Sequence, residues 1–364
     1  MHRTLLVITS TLIFMIGLVM IFSTTSAEIL DHDLDTSTHQ ALMRQIAYAI
    51  AGMALGCIVW KAGYRQLIAY SPALLLFFTF LLILTLIPGI GRVVNGSRRW
   101  LSIGGVSFQP SEFVKYLVPA YFIHRYLAFD AGSIALSDFL RLAGTVGFPI
   151  LLIMIEPNNG TAAVIVFTVI VLCLLCHVPL KYWALPLAGC IVVGGIFASQ
   201  LPYVKARLNV YLHPELDLKG KGHQPYQAKI AAGSGQLMGK GPGNSLQKLS
   251  YLPEAQNDYI AAIYAEEFGF MGIMFLISLY MALGYFGFTI AHSCQDLAGF
   301  YLAGSVTCLI CMQAFLNLGV VSGLLPSTGL NLPLFSQGGT SLIANMMGVS
   351  LLLSVSRIDK KRFC

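Results

Sequence analysis

From Leu297 to Ser356 the chain carries no aspartate, glutamate, lysine or arginine. A soluble domain cannot leave so long a segment uncharged, because charged residues normally make up about a quarter of a water-soluble chain. The segment is long enough for two membrane crossings and a connection, since roughly 20 apolar residues rising 1.5 Å each span a hydrocarbon core about 30 Å thick. Further charge-free stretches separate Arg65 from Arg92, Glu156 from Lys181, Lys181 from Lys205, and Glu267 from Asp296. Over the whole chain 56% of residues are hydrophobic and 10% are charged. Only helices and closed barrels satisfy the backbone inside lipid, and runs this long are helical. The sequence therefore predicts an all-α, polytopic membrane protein.

Ten spans are expected, at about 4–24, 45–62, 66–88, 111–128, 142–156, 160–179, 183–201, 261–290, 297–320 and 338–356. They form one membrane domain over 1–364, with a large extracytoplasmic loop at about 202–260. Thr25-Ser26-Ala27 loosely resembles a signal-peptidase site, but Leu5–Phe22 exceeds a usual signal core, so it reads as an uncleaved first span. Basic residues in short loops orient the chain. Lys61, Arg65, Arg125, Arg141, Lys181 and the Arg357–Arg362 tail fall on one side, which predicts both termini in the cytoplasm. Glu28, Asp31, Asp33 and Asp35 make the first outer loop acidic. Arg92, Arg98 and Arg99 break the rule on an outer segment, Gly91–Pro110, and so point to a role other than orientation. The net charge of +6 is scattered rather than gathered into a basic arm, which excludes nucleic acid as a partner. Of eight cysteines, all but Cys364 lie within or beside apolar runs, so no disulfide framework is visible. Cys173-Leu-Leu-Cys176-His177 has the spacing of haem attachment but ends a helix placed on the wrong side for it.

Ionisable residues in a membrane are costly and mark function. In the fourth span Gln109-Pro110-Ser111-Glu112 leads to Lys115, three residues on and on the same helix face. Such a pair can bind substrate or simply neutralise itself near the interface. Just before it, Arg98-Arg99-Trp100 offers two planar forks suited to phosphate oxygens and a ring suited to the headgroup level. In the long loop, Glu254 and Asp258 stand four apart before an apolar span, where mutual repulsion would favour a proton on one of them. A carboxylate at that rim is a candidate general base. Two Gly/Pro-broken stretches, Glu156–Thr161 and Leu324–Ser341 with Ser336 inside it, sit at the same side. Broken backbone at membrane depth is tolerated where it is buried in protein or lines a cavity.

The strings NGSRRWLSIGGVSFQPSEFVKYL, GNSLQKLSYLPEAQNDYIAAIYAEEFGF and NLGVVSGLLPSTGLNLPLFSQGGTS resemble the SEDS family of FtsW, RodA and SpoVE, in order and over nearly the whole chain. GNS-LQKL-YLPEA is more similar to the FtsW branch than to RodA. The resemblance implies ten spans and polymerisation of lipid II into glycan strands outside a bacterial inner membrane, with release of undecaprenyl pyrophosphate, during cell division. It implies a class B penicillin-binding protein as transpeptidase partner, alongside other divisome membrane proteins. The family's loop aspartate falls on Asp258, its RRW segment on Arg98, Arg99 and Trp100, and its QPSE-to-lysine segment on Gln109–Lys115. Arg98, Arg99 and Lys115 then become the candidates to meet the pyrophosphate charge. No cofactor is firmly implied, and a divalent cation could share that task.

The chain departs from the family pattern in four places. Gln256-Asn257 stands where His-Thr is usual, and Asn158 where Pro-Asp-Leu-Gly-Thr has its aspartate. Thr328 replaces a lysine common in FtsW members, and Gln337 a tyrosine. Two other classes compete with the enzyme: a lipid II flippase, which needs a polar path through the bilayer, and a non-enzymatic divisome scaffold, in which Asp258 would have no role.

Overall fold

The computed structural model describes residues 1–32, 39–94, 97–103, 106–129, 134–189, 210–212, 222–249 and 255–358. Three helices come first: α1 (His2–His32), α2 (Gln40–Ala62) and α3 (Tyr64–Leu86). A small sheet of β1 (Gly91–Val94), β2 (Ser97–Ile103) and β3 (Val106–Phe108) leads into α4 (Ser111–Tyr126), α5 (Leu136–Ile155) and α6 (Asn159–Leu175). After a partly described interval come α7 (His223–Ser234), α8 (Ile260–Ser293), α9 (Leu297–Val321) and α10 (Gly339–Ile358). His2–Ser26, α2, α3, α5, α8, α9 and Gly339–Arg357 are long and apolar enough to cross a membrane. Ile50, Ile58, Leu76, Phe77, Phe80, Phe275 and Met281 stand exposed on α2, α3 and α8. Apolar side chains in that number on an outer surface suit lipid rather than water. The protein is a multi-pass helical membrane protein.

The expected spans at 111–128 and 160–179 are shorter than anticipated, at 16 and 17 residues. The expected span at 183–201 is helical over residues 180–189 and otherwise falls outside the described residues. The large loop contains α7, packed on α8 and α9. Helix α4 lies inside the bundle against α3, α5, α6, α9 and α10, and every residue from Ser111 to Ala120 is buried. A helix with no lipid face can carry Glu112 and Lys115, because protein rather than hydrocarbon surrounds them. Pro110 sits at its N-cap, where a missing N–H costs nothing.

Two features position the site end of the bundle. Gly91–Phe108, expected as an outer loop, is a three-stranded antiparallel sheet. Its register runs Arg92↔Trp100 and then jumps to Val93↔Arg98, which leaves Arg99 as the extra residue of a β-bulge. The second feature is a break in α8 at Gly269, where φ is 65° and ψ −164°. There the Gln236–Gly241 strand of backbone docks across the helix: Phe270 N–H and Met271 N–H donate to Gln236 O (2.9 Å) and Leu237 O (3.2 Å), and Gly241 N–H donates to Glu267 O (3.0 Å). A Cβ on Gly269 would run into the Gly239 backbone, so both the dihedral and the close approach require glycine. Helix α2 packs along α10 through Gly52-Met-Ala-Leu-Gly56, where a Cβ on Gly56 would meet the Ser350 hydroxyl.

Candidate active site

Asp258 lies in the turn just ahead of α8, half-buried. Its Oδ2 comes within 3.6 Å, and Arg99 Nη1 within 3.8 Å, of the point where a side chain on Gly329 would begin. The carboxylate and the guanidinium thus flank one backbone notch. Gly329 has φ 69°, a conformation that L side chains rarely adopt, so the notch stays open by the chemistry of the chain itself.

Arg99 reaches this position because the bulge re-aims it. Its Nε donates to Glu156 O (3.1 Å), Nη2 donates to Pro157 O, and its guanidinium lies 6.0 Å from the Trp100 ring centre. Two of the fork's donors are therefore fixed on the α5–α6 turn. Arg98, its expected companion, is exposed and carries no comparable anchor among the described residues. The two arginines do not act as one unit. The α5–α6 turn is itself braced: Asn158 Nδ2 and Gln109 Nε2 both donate to Ser111 Oγ, at 3.3 and 3.1 Å, and Gln109 N–H donates to Thr340 Oγ1 at 3.1 Å. Ser111 is buried and Gln109 half-buried, and both act as struts of the site. At Asn158, where the family pattern has a carboxylate, Ser111 receives an N–H. Glu156 is buried, with Thr85 Oγ1 donating to Oε1 and Oε2 left without a partner among the described residues. Burial pushes its carboxyl up to about 8, against weaker opposing effects from the Thr85 hydroxyl and the Arg99 charge.

Other expected site residues lie elsewhere. Lys115 Nζ donates to Glu112 Oε2 (2.7 Å), Gln313 Oε1 (2.8 Å) and Asn345 Oδ1 (3.3 Å), and its exposure is 1%. All three ammonium donors are used inside the bundle, so the structure places Glu112 and Lys115 in its interior. Ser336 is buried too, and its hydroxyl accepts from Leu332 N–H at 2.8 Å to close a turn. Glu254 lies outside the described residues.

Residues that the sequence reading passed over hold the stretch between α9 and α10 in place. Asn317 Nδ2 donates to Asp258 O (2.8 Å) and to Leu330 O (2.6 Å). One turn earlier on α9, Gln313 Nε2 donates to Asn331 O at 2.8 Å. Gln337 N–H donates to Gln256 O at 3.0 Å, and Gln45 Nε2 donates to Ser336 O at 3.4 Å. The signal was present: two amides four apart in an otherwise apolar run mark one polar face of a helix. Among the described residues, no group of three or more His, Cys, Asp or Glu side chains is gathered as a metal site.

Crossing-length helices, with a half-buried carboxylate and an anchored guanidinium brought together at one end, define a multi-pass helical membrane protein. Comparison with known proteins specifies it further. The chain belongs to the cell cycle protein family of FtsW, RodA and SpoVE, whose model matches residues 3–361. It is 38% identical over 359 residues to stage V sporulation protein E of Bacillus subtilis, covering 98% of this chain and 97% of that one. It is 39% identical over 347 residues to a probable peptidoglycan glycosyltransferase FtsW of Thioalkalivibrio sulfidiphilus, covering 94% and 86%. Among solved structures, a chain from a peptidoglycan synthase complex that coordinates polymerization and crosslinking superposes with TM-score 0.78 at 26% identity, covering 97% of both chains. The rod shape determining protein RodA of Thermus thermophilus superposes with TM-score 0.70 at 26% identity, covering 97% and 95%.

Proposed function

We propose that Asp258 is the general base of an inverting glycosyl transfer, with Arg99 beside it to meet developing negative charge. The chain is a peptidoglycan glycosyltransferase that polymerises lipid II during cell-wall synthesis. An acceptor hydroxyl of lipid II attacks the anomeric carbon of the growing strand. As the new C–O bond forms, the hydroxyl proton passes to Asp258. The bond from the anomeric carbon to the pyrophosphate breaks, and undecaprenyl pyrophosphate leaves with the electron pair. A base placed in this way contributes about 10²–10⁴-fold. The single observation that carries the reading is the carboxylate and guanidinium meeting across the Gly329 notch. A donor already fixed before charge develops needs no reorganisation during the step, and two carbonyls fix Arg99. A divalent cation would be an additional charge partner; Asp258 and nearby carbonyls are the oxygen ligands such an ion prefers.

The same reading puts both termini in the cytoplasm, the Asp258 end outside a bacterial inner membrane, and a class B penicillin-binding transpeptidase beside the chain. The orientation is supported by the basic residues of the opposite end, and the partner by the synthase complex to which the fold is similar.

The test is polymerisation of purified lipid II by detergent-solubilised protein. Asp258→Asn keeps size and hydrogen-bonding shape but cannot take the proton, so glycan product should fall by at least about 10²-fold while the protein elutes and melts as wild type. Near-normal glycan chains from Asp258→Asn would refute the assignment. Lipid translocation without glycan, in wild type and variant alike, would instead favour a transporter.

A further inference from the structure

We propose that Asn317 is the positioning residue for the Asp258 carboxylate. This rests on the assignment of Asp258 as base. Asn317 sits on α9 with an exposure of 1%, in the same polar face as Gln313. Its amide nitrogen has two hydrogens, and each finds a carbonyl: Asp258 O at 2.8 Å and Leu330 O at 2.6 Å. These carbonyls belong to two separate stretches of chain, the turn before α8 and the stretch that follows Gly329. One side chain thus ties the backbone that carries the base to the backbone that forms the notch. A second tie, Gln337 N–H to Gln256 O at 3.0 Å, joins the same two stretches two residues ahead of Asp258. That one is backbone only, whereas Asn317 is a side-chain link on which substitution can act.

The amide cannot be reversed without cost. With oxygen facing the carbonyls, two acceptors would meet a third in a buried place. The observed orientation leaves Asn317 Oδ1 buried without a partner among the described residues. A side chain kept at the expense of an unsatisfied oxygen is held there by what its nitrogen does.

The experiment is a kinetic comparison of full-length protein with lipid II. Asn317→Asp is nearly isosteric and removes both donors. It should lower kcat about 10–100-fold, the scale of a catalytic group displaced by roughly an ångström, with KM within about threefold and elution unchanged. A role in fold alone would lower the amount of active protein and not the turnover of active molecules, counted by titration with a tight-binding inhibitor. The same change in an Asp258→Glu background should cost far less, since that base is already displaced. If Asn317→Asp does not fold, Asn317→Ser, which still donates but cannot span both carbonyls, carries the same expectation. Wild-type kcat in a folded Asn317 variant, or equal losses in both backgrounds, would overturn the proposal. Full activity of Asp258→Asn would instead overturn the base assignment beneath it.

Discussion

At the scale of single residues, burial separates the ionisable groups of this chain: Asp258 is half-buried in the turn ahead of α8, whereas Glu112, Lys115 and Glu156 are enclosed by the bundle. Asp258 became a candidate from its place before an apolar span and from the family strings around it. Glu112 and Lys115 looked equally functional, because a one-dimensional reading cannot tell a rim from an interior. The structure gives Lys115 three acceptors, two of them from α9 and α10, and so ties the pair into the bundle. Asn317 was missed for the opposite reason: an uncharged amide in a hydrophobic run reads as filler until its two carbonyls are seen. Glu156 carries a pH signature. Its carboxyl is raised from 4.5 to about 8, so between those values the folded state binds more protons than the unfolded chain. Stability must then fall as pH rises through that window and level off above it. Glu156→Gln removes this slope. The difference in melting temperature between wild type and variant, followed from pH 4 to 9, should shift steadily in favour of the variant up to about pH 8. A flat difference would show that Glu156 does not titrate there.

At the scale of elements, the helices were readable because hydropathy is a local quantity: α1, α2, α3, α5, α8, α9 and α10 all overlap expected spans. The sheet was not expected, although Asn95-Gly96 and Gly104-Gly105 are hairpin dipeptides between extended runs. The bulge that turns Arg99 inward is a matter of strand register, which no single segment encodes. Packing seams were equally hidden. Gly52 and Gly56 look like gaps in a hydrophobic helix, yet they let α10 approach closely. Gly56→Val should therefore cost about 1–3 kcal/mol by overpacking. Gly144→Ala in α5, with nothing within 4 Å of its Cβ, should be neutral or gain up to about 1 kcal/mol. Thermal midpoints of the two purified variants test this contrast, and equal effects would contradict the seam.

At the scale of the molecule, composition alone fixed the solvent, while the arrangement around α4 was out of reach. Hydropathy says which segments enter a membrane but not which one is enclosed by the others. The proposed orientation has a direct check. In a background without native cysteines, Arg98→Cys should react with a membrane-impermeant maleimide added to intact cells, whereas Arg357→Cys should react only after permeabilisation. The reverse pattern would place the Asp258 end in the cytoplasm and remove it from any extracellular chemistry. The interruption at Gly269 bears on how such a molecule can change over time. An unbroken helix passes any twist along its length, about 100° for each residue inserted or lost. Here the docked glycine backbone interrupts that relay, so a change of register in the distal part of α8 is not passed on to the first turns, and the acid that precedes them keeps its bearing.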